Sequence, residues 1–303
     1  MQNARNKMPY VQNFSKMKVE IISGTTCAGK TAASIELAEK INAEIISCDS
    51  VQFYRGMNIG SAKATPAEQA RVKHHLIDVA NVDEIFDVAK YIELAKKALA
   101  EIKAKQKNVV VVGGSGFYLK AWFCAVADEM SIPQHIKEFA MQTEKKGANA
   151  LACELLKIDP EASKSLDIHN PRRTRNALER CLTSGKSVKQ LHDDFAKLPC
   201  PFGELERNFT ILDRPDAEML ERIKLRTQQM IEQGIVQETR RLLELGLEKN
   251  PAAANSTGYK QTIAFIKNNE TDLKKLENEI VIQTMSLVRK QRKNLRSLFK
   301  NVK

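Results

Sequence analysis

Near its amino terminus the chain contains the octapeptide Gly24-Thr25-Thr26-Cys27-Ala28-Gly29-Lys30-Thr31. An apolar run at 19–23 precedes it, and a helical pattern of apolar residues follows at 32–41. This is the pattern G-x-x-x-x-G-K-[ST] between a strand and a helix, the context in which it is meaningful. Glycines let the backbone wrap an anion, the amides, the helix N-terminus and Lys30 supply positive potential, and Thr31 can ligate Mg²⁺. The sequence therefore predicts a phosphate-binding loop (P-loop), as found in kinases, NTPases and transferases that use diphosphate esters.

The composition is that of a globular protein with a basic surface. Its 303 residues suffice for a large core with an insertion. A net charge of +11 favours a polyanionic partner, nucleic acid or a membrane surface, although ordinary solubilising lysines would also produce it. No apolar run is long enough to span a membrane, and residues 1–15 lack the apolar segment of a signal peptide. We therefore expect a cytoplasmic protein without membrane association.

Cysteines and histidines give little support for a metal site. The six cysteines lack C-x-x-C spacing and suitably spaced histidine partners, so we expect reduced, mostly buried thiols and neither disulfide nor zinc. His74 and His75 are adjacent in a short strand-like segment, where neighbouring side chains point to opposite faces. A metal site there is the weaker interpretation.

Two predicted strand ends carry polar residues. In a parallel α/β sheet the chemistry lies at the carboxyl ends of the strands, and Asp49 follows the strand predicted at 44–48. Asp49 could be a Mg²⁺ ligand, a general base or a helix cap. The strand at 109–112 ends in glycines and Ser115, whereas a hydrolysing P-loop enzyme commonly has an acidic residue there. This difference weakens an NTPase interpretation.

Basic residues are concentrated in three later segments. Residues 128–198 show short helices without a strand, and Arg172, Arg173 and Arg175 crowd one helix start. Cations oppose the helix dipole at that end, so phosphodiester groups are candidate partners, with a solvated turn as the alternative. Arg222 and Arg226 share one helix face and could clamp a diphosphate opposite the P-loop, or could simply be solvated. The helix predicted at 272–299 is basic beyond its middle, which favours phosphate contacts or a solvated surface.

Together these motifs resemble those of the tRNA dimethylallyltransferases, which prenylate the adenosine beside the anticodon. The resemblance extends from about residue 17 to residue 296 and rests on the P-loop and on the stretches 49–54, 59–63, 74–78, 112–118, 170–173, 222–226, 258–261 and 289–291. It implies an α/β fold, a P-loop-containing parallel sheet flanked by helices with an all-helical insertion. The implied organisation is a flexible extension at 1–16, a catalytic core at 17–127 and 199–303, and a tRNA-binding insertion at 128–198.

The resemblance also implies a chemistry in which diphosphate is the leaving group of dimethylallyl diphosphate. Lys30, Arg222 and Thr31 with Mg²⁺ would neutralise the departing diphosphate. Asp49 would accept a proton from the adenosine N6 amine, and Ser115, where the family usually has threonine, would lie between the nucleotide and the diphosphate. The implied catalytic residues are Asp49, Ser115, Lys30 and Arg222. The implied diphosphate-binding residues are Gly24, Thr25, Thr26, Cys27, Ala28, Gly29, Lys30, Thr31, Arg222 and Arg226.

The implied macromolecular partner is the tRNA anticodon stem-loop, bound by a monomer. The residues assigned to it are Asp49, Ser50, Val51, Gln52, Ser115, Lys137, Arg172, Arg173, Arg175, Arg289 and Arg292. The chain departs from the family pattern mainly on this side, with Asn170 in place of an aspartate and Lys293-Asn294 in a Thr-Trp position. We therefore expect the chemistry to be retained and the set of tRNAs to differ. The alternatives are a P-loop nucleotide or small-molecule kinase, and an anticodon-loop RNA-binding protein with a vestigial site.

Overall fold

The computed structural model describes residues 17–126 and 130–300, with side chains described as far as residue 298. The expected extension at 1–16 and the expected boundary between residues 127 and 128 lie outside this part of the chain. Within it, no helix is both long and apolar enough to cross a membrane.

One parallel sheet forms the centre of the fold. Its strands in the described residues are β1 (Lys18–Gly24), β2 (Ala43–Ser47), β3 (His74–His75), β4 (Asn108–Gly113) and β5 (Glu206–Leu212). They lie in the order β3-β2-β4-β1-β5, and every pair is parallel. The continuous valine run of β4 is buried because this strand lies between β2 and β1, where both of its faces are covered. The predicted α/β class with a P-loop sheet is confirmed.

Helices cover the sheet and continue the chain on either side of its last strand. The helices of the described chain are α1 (Lys30–Lys40), α2 (Pro66–Arg71), α3 (Val88–Ala104), α4 (Gly116–Lys120), α5 (Gln134–Lys145), α6 (Ala148–Ile158), α7 (Ala162–Ser165), α8 (Pro171–Ser184), α9 (Val188–Ala196), α10 (Asp216–Glu232), α11 (Ile235–Glu244), α12 (Pro251–Ala254), α13 (Tyr259–Lys267) and α14 (Leu273–Lys300), with a 3₁₀ turn at Leu247–Lys249. Helix α1 packs its apolar face on β2 and β4 through Ile35 and Ala38, which completes the strand-loop-helix unit around the P-loop.

The chain divides into two compact units, Met1–Cys124 with Pro201–Lys303, and Ala125–Cys200. The first contains the sheet. The second, as far as it is described, consists of α5 to α9 without a strand and has its own apolar core around Leu151, Leu155 and Leu178. The interval 128–198 expected as an insertion falls within this helical unit.

At the amino end of the sheet, Glu44 is buried among basic side chains. Its carboxylate lies 2.7 Å from His75 Nε2, 3.0 Å from Lys105 Nζ and 3.1 Å from Lys107 Nζ. Burial would raise the pKa of Glu44, but the hydrogen bonds from these three side chains outweigh it and lower that pKa to about 2. His75 is therefore part of an ion-pair cluster, and the described residues contain no group of three or more metal-ligating His, Cys, Asp or Glu side chains.

The expectation that most cysteines are buried is wrong. All six are free thiols, but only Cys48 and Cys181 are buried, while Cys153 is exposed. Cys27 is partly exposed because it lies in the P-loop, where it lines the cavity on one side and packs against the cluster of Met219, Ile223 and Val288 on the other.

Candidate active site

Residues that follow the carboxyl ends of β1, β2 and β4 line a cavity of about 460 Å³. Its polar side includes Lys30, Asp49 and Ser115. Helices α10 and α14 also line it, with the apolar residues Ile223, Met230, Ile280 and Leu287 beside polar ones such as Arg226 and Gln291. The cavity thus combines charged groups with apolar side chains.

The P-loop owes its course to two glycines. At Gly24 a Cβ would lie 2.1 Å from the carbonyl oxygen of Leu212 on the neighbouring strand β5, so any side chain would collide with backbone. Gly29 precedes α1 with φ of 95°, a left-handed conformation that costs an L-residue energy. The loop can therefore turn tightly from β1 into the N-terminus of α1, the end of a helix that attracts anions.

Lys30 lies on the floor of the cavity, half-buried. Its Nζ donates a 2.6 Å hydrogen bond to the carbonyl oxygen of Thr25. The surrounding protein displaces water from the ammonium group and, with Arg226 nearby, lowers the pKa of Lys30 to about 8, although Asp49 acts in the opposite direction. A cation with so little solvation has much to gain from an anionic ligand.

Three arginines converge on the P-loop. Arg222 Nε donates to the carbonyl oxygen of Cys27 at 2.8 Å, and Arg226 Nη1 donates to Thr26 Oγ1 at 2.8 Å. Arg214 Nε donates to the Ala28 carbonyl oxygen at a longer 3.4 Å. The sequence predicted the first two. It missed Arg214, which lies two residues after the end of β5. Pairing of β5 with β1 brings Arg214 to the P-loop, and the sequence analysis had not predicted that pairing.

Asp49 and Ser115 lie together, as predicted for residues after neighbouring strands. Asp49 Oδ1 accepts a hydrogen bond from the Val51 amide at 3.0 Å, while among the described residues Oδ2 receives none. The Ser115 hydroxyl accepts from the Ser50 amide at 2.9 Å and donates to Ser50 Oγ at 3.1 Å. Turns and not a helix follow Asp49, so the helix-cap interpretation is wrong.

A buried carboxylate holds a second loop, at residues 58–61, of which Gly60 and Ser61 line the cavity. Glu238 of α11 accepts hydrogen bonds from the backbone amides of Asn58, Ile59 and Gly60 at 3.0–3.3 Å and from Tyr259 Oη at 2.6 Å. The sequence analysis missed Glu238, because nothing around a single glutamate in an amphipathic helix indicates which backbone amides its carboxylate will bind.

The nucleotide-side residues at 50–52 have different environments. Ser50 is exposed and hydrogen-bonded to Ser115, whereas Gln52 bridges Ser47 Oγ, at 3.1 Å, and the Ala62 carbonyl oxygen, at 3.4 Å. Val51 lines the cavity next to Asp49.

The basic residues predicted to bind tRNA fall into two groups. Lys137, Arg172, Arg173 and Arg289 are exposed and, among the described residues, form no salt bridge, although the charge of Lys137 acts on the Glu179 carboxyl. Asn170, which replaces an aspartate of the family pattern, still caps α8, because its side-chain oxygen accepts from the Arg173 amide at 3.2 Å.

Arg175 and Arg292 have carboxylate partners instead. Arg175 Nη1 lies 2.7 Å from Glu144 Oε2, so an anion of the protein itself already pairs with this side chain, and its predicted contact with tRNA stays a prediction. Arg292 Nε lies 2.8 Å from Asp213 Oδ2, and Arg292 also pairs with Asp216, which leaves its side chain only 19% exposed. Sequence patterns could not show these pairs because each joins elements distant along the chain.

Comparison with known proteins places this chain in a family. A model of the IPP transferase family matches residues 52–298. The chain belongs to that family. A tRNA dimethylallyltransferase of Opitutus terrae is 43% identical over 279 residues, which cover 91% of this chain and 89% of the relative. The resemblance inferred from the motifs is therefore confirmed.

Solved structures of IPP transferase relatives agree with the fold. The tRNA isopentenylpyrophosphate transferase of Bacillus halodurans is 29% identical with a TM-score of 0.64, covering 93% of this chain and 87% of that one. A eukaryotic dimethylallyltransferase described as acting on tRNA has a TM-score of 0.78 at 24% identity, covering 91% of this chain and 69% of that one. At that identity the likeness shows the fold alone.

Proposed function

We propose that this IPP transferase family member transfers a dimethylallyl group from dimethylallyl diphosphate to the N6 amine of the adenosine beside the anticodon in tRNA. The observation that carries the proposal is the composition of one cavity. It combines an anion-binding loop, a carboxylate with an oxygen open to a ligand, and an apolar wall. The loop suits a diphosphate, the carboxylate suits a nucleophile that must lose a proton, and the apolar wall suits a hydrocarbon group.

At the P-loop end, the protein stabilises the leaving group. Lys30 and Arg226 line the cavity, and Arg222 is bonded to the Cys27 carbonyl oxygen of the P-loop, so these cations would neutralise the negative charge that grows as the bond between C1 and the diphosphate oxygen breaks. Because the side chains are already held by contacts to the loop, little reorganisation accompanies the reaction.

Thr31 is the proposed protein ligand of Mg²⁺. Its hydroxyl makes no hydrogen bond to other described residues, and it directly follows Lys30 in the first turn of α1. A hard cation accepts such an oxygen, and with no carboxylate cluster in the described chain, diphosphate oxygens and water would complete its shell. The residues present fit such an ion. When bound it would supply further charge neutralisation to the leaving group.

At the other end, Asp49 acts as the general base. The adenosine N6 forms a bond to C1 of the allyl group, the C1–O bond breaks with its electron pair going to diphosphate, and a proton passes from N6 to Asp49 Oδ2. A positioned base contributes about 10²–10⁴-fold to the rate. The Ser115 hydroxyl supports this geometry by fixing the turn after Asp49. The adenosine must leave its stack to reach the cavity, which is easier in a single-stranded loop.

The apolar wall accommodates the allyl group. This wall consists of Ile223 and Met230 of α10 and Ile280 and Leu287 of α14, all of which line the cavity. Apolar contact favours the five-carbon group over water, and it excludes water that would otherwise attack C1 in place of N6 as the bond to diphosphate breaks.

Exposed cations on each unit are the proposed tRNA contacts. Lys137, Arg172 and Arg173 serve this role in the helical unit, and Arg289 in the unit that contains the sheet. Phosphate contacts of this kind position an RNA without reading its sequence. We further propose that the protein acts as a monomer and, because tRNA is its partner, in the cytoplasm.

The decisive experiment incubates the purified protein with Mg²⁺, labelled dimethylallyl diphosphate and tRNA that lacks the modification. The expected result is label in tRNA and a nucleoside whose mass equals adenosine plus one dimethylallyl group. Turnover of ATP without labelled tRNA would instead indicate a kinase. Binding of the anticodon stem-loop without any transfer, equal in wild type and Asp49→Ala, would indicate an RNA-binding protein with a vestigial site.

A further inference from the structure

Gln291 of α14 makes a direct contact with the P-loop. Its Oε1 accepts a hydrogen bond of 2.8 Å from the amide of Thr26, and both residues line the cavity. That amide belongs to the loop that would bind an anion, so Gln291 occupies one of the donors of the loop. Nothing in the proposed mechanism so far uses this side chain.

The contact fixes which way the carboxamide faces. A glutamine side chain has one acceptor end and one donor end, and an amide N–H can bond only to the acceptor. The donor Nε2 therefore points elsewhere. It lies 3.1 Å from the position that a Cβ on Gly114 would occupy, and Lys30 Nζ lies 3.5 Å from the same position. Among the described residues Nε2 has no acceptor, although it lies at the same corner of the cavity as the ammonium of Lys30.

The backbone that carries Gln291 is held in place by its neighbour. Arg292 Nε donates to Asp213 Oδ2 at 2.8 Å, and Asp213 Oδ1 accepts from Thr25 Oγ1 at 3.3 Å. Helix α14 is thus attached to the P-loop at two consecutive positions. A donor fixed in this way is preorganised, because its orientation does not have to be selected when a ligand binds.

We propose that Gln291 is a further catalytic residue, whose Nε2 donates a hydrogen bond to the diphosphate beside Lys30 while Oε1 holds the Thr26 amide. The inference rests on the proposed function, since it takes diphosphate as the ligand of this corner. A neutral donor beside a lysine adds directional contact to a site otherwise built from charges, and the bond strengthens as the leaving group gains charge.

Two substitutions separate the donor role from simple positioning of the loop. Gln291→Glu keeps an oxygen that can accept from Thr26 but removes the donor and adds a negative charge. Gln291→Met keeps the length and removes both functions without charge. Binding of inorganic diphosphate with Mg²⁺, measured by titration calorimetry, should weaken about tenfold in Gln291→Met and more in Gln291→Glu. Gln229→Glu, the same change on the exposed part of α10, is the matched control and should leave affinity unchanged.

The order of the two variants decides the outcome. If Gln291→Glu binds diphosphate as well as wild type while Gln291→Met does not, the side chain only positions the loop and the proposal is wrong. Unchanged diphosphate affinity with a raised KM for tRNA would also overturn it. If Gln291→Glu fails to fold, NMR of the wild type replaces it. The carboxamide signal of Gln291 is assigned by its loss in Gln291→Met, and the proposal requires this signal to shift when diphosphate is added. Failure of the proposed function is separate, because it is read from prenylation of tRNA by the wild-type protein.

Discussion

Glu44 and Asp49 are two carboxylates at opposite ends of the same short strand, and they differ in how their oxygens are used. Glu44, at the amino end of β2, is buried and bonded to three basic side chains. Asp49, just beyond the carboxyl end, has one oxygen bonded to the amide of Val51 and one with no partner in the described chain. A carboxylate whose lone pairs are all occupied stabilises the fold, whereas an open oxygen in a cavity is available to a substrate.

Replacing Asp49 should give the largest effect. In Asp49→Asn the side chain keeps its shape and its bond to the Val51 amide but cannot accept the adenosine proton. We expect the rate of prenyl transfer to fall about 10²–10⁴-fold while the midpoint of thermal unfolding stays that of wild type. Single-turnover transfer to tRNA and calorimetric unfolding measure the two quantities. A variant that retains full rate would remove Asp49 from the chemistry.

Replacing Glu44 should lower the stability of the protein and leave its rate of transfer unchanged. Glu44→Ala leaves the buried His75 ring and the partly exposed ammonium groups of Lys105 and Lys107 without their common anion, and we expect the free energy of unfolding to fall by about 3 kcal/mol. The rate of transfer per folded molecule should be unchanged, since the cluster lies at the other end of the sheet. Urea denaturation gives the stability, and Glu36→Ala on the exposed face of α1 is the control. A loss of rate in folded Glu44→Ala would contradict the division between the two carboxylates.

Acid should act on the same cluster in a defined direction. The pKa of Glu44 is lowered from its ordinary 4.5 to about 2, so its stabilising contribution is complete above pH 4.5 and is lost as pH falls towards 2. Wild type and Glu44→Gln should therefore differ by a constant free energy of unfolding above that window and converge within it. Denaturant titrations at a series of pH values test this. If the difference in free energy of unfolding between the two proteins persisted near pH 2, ionisation of Glu44 would not be its source.

Asp49 should also be detectable through Lys30. The pKa of Lys30 is about 8, and the negative charge of Asp49 raises it against the effect of burial. A bound diphosphate favours the ammonium form, so its affinity should be independent of this group below pH 8 and fall up to about tenfold per pH unit above it. In Asp49→Asn the fall should begin at lower pH. Calorimetric titration of both proteins with diphosphate, corrected for ligand ionisation with Lys30→Met, measures the displacement, and coincident profiles would disprove the coupling.

Sequence reasoning found the residues whose position follows from local pattern. The P-loop, Asp49 after β2 and Ser115 after β4 all follow from one strand feeding one loop, which a single sequence displays. It assigned no role to Arg214, Gln291 or Glu238, because their contacts depend on pairing of β5 with β1 and on packing of α11 and α14, which bring together residues far apart along the chain.

The same limitation explains the arginines of α8. Three cations near one helix start look alike in sequence, yet Arg172 and Arg173 are exposed while Arg175 lies 2.7 Å from Glu144 and 3.7 Å from Glu179. Charge pattern can show where cations gather. Only the fold shows which of them already have an anion.

That difference between paired and open groups gives the smallest and most specific prediction. An arginine that binds an RNA phosphate releases counterions, so its removal lowers the slope of log affinity against log salt by about one unit. Arg172→Gln should show this change in tRNA binding, measured by fluorescence anisotropy across a salt series. Arg175→Gln should leave the slope unchanged, because Glu144 and not RNA neutralises that side chain, although its helical unit should unfold more easily. Equal slope changes in the two variants would mean that the ion pair between Arg175 and Glu144 opens when RNA binds. The distinction between paired and open groups would then hold only for buried groups such as Glu44.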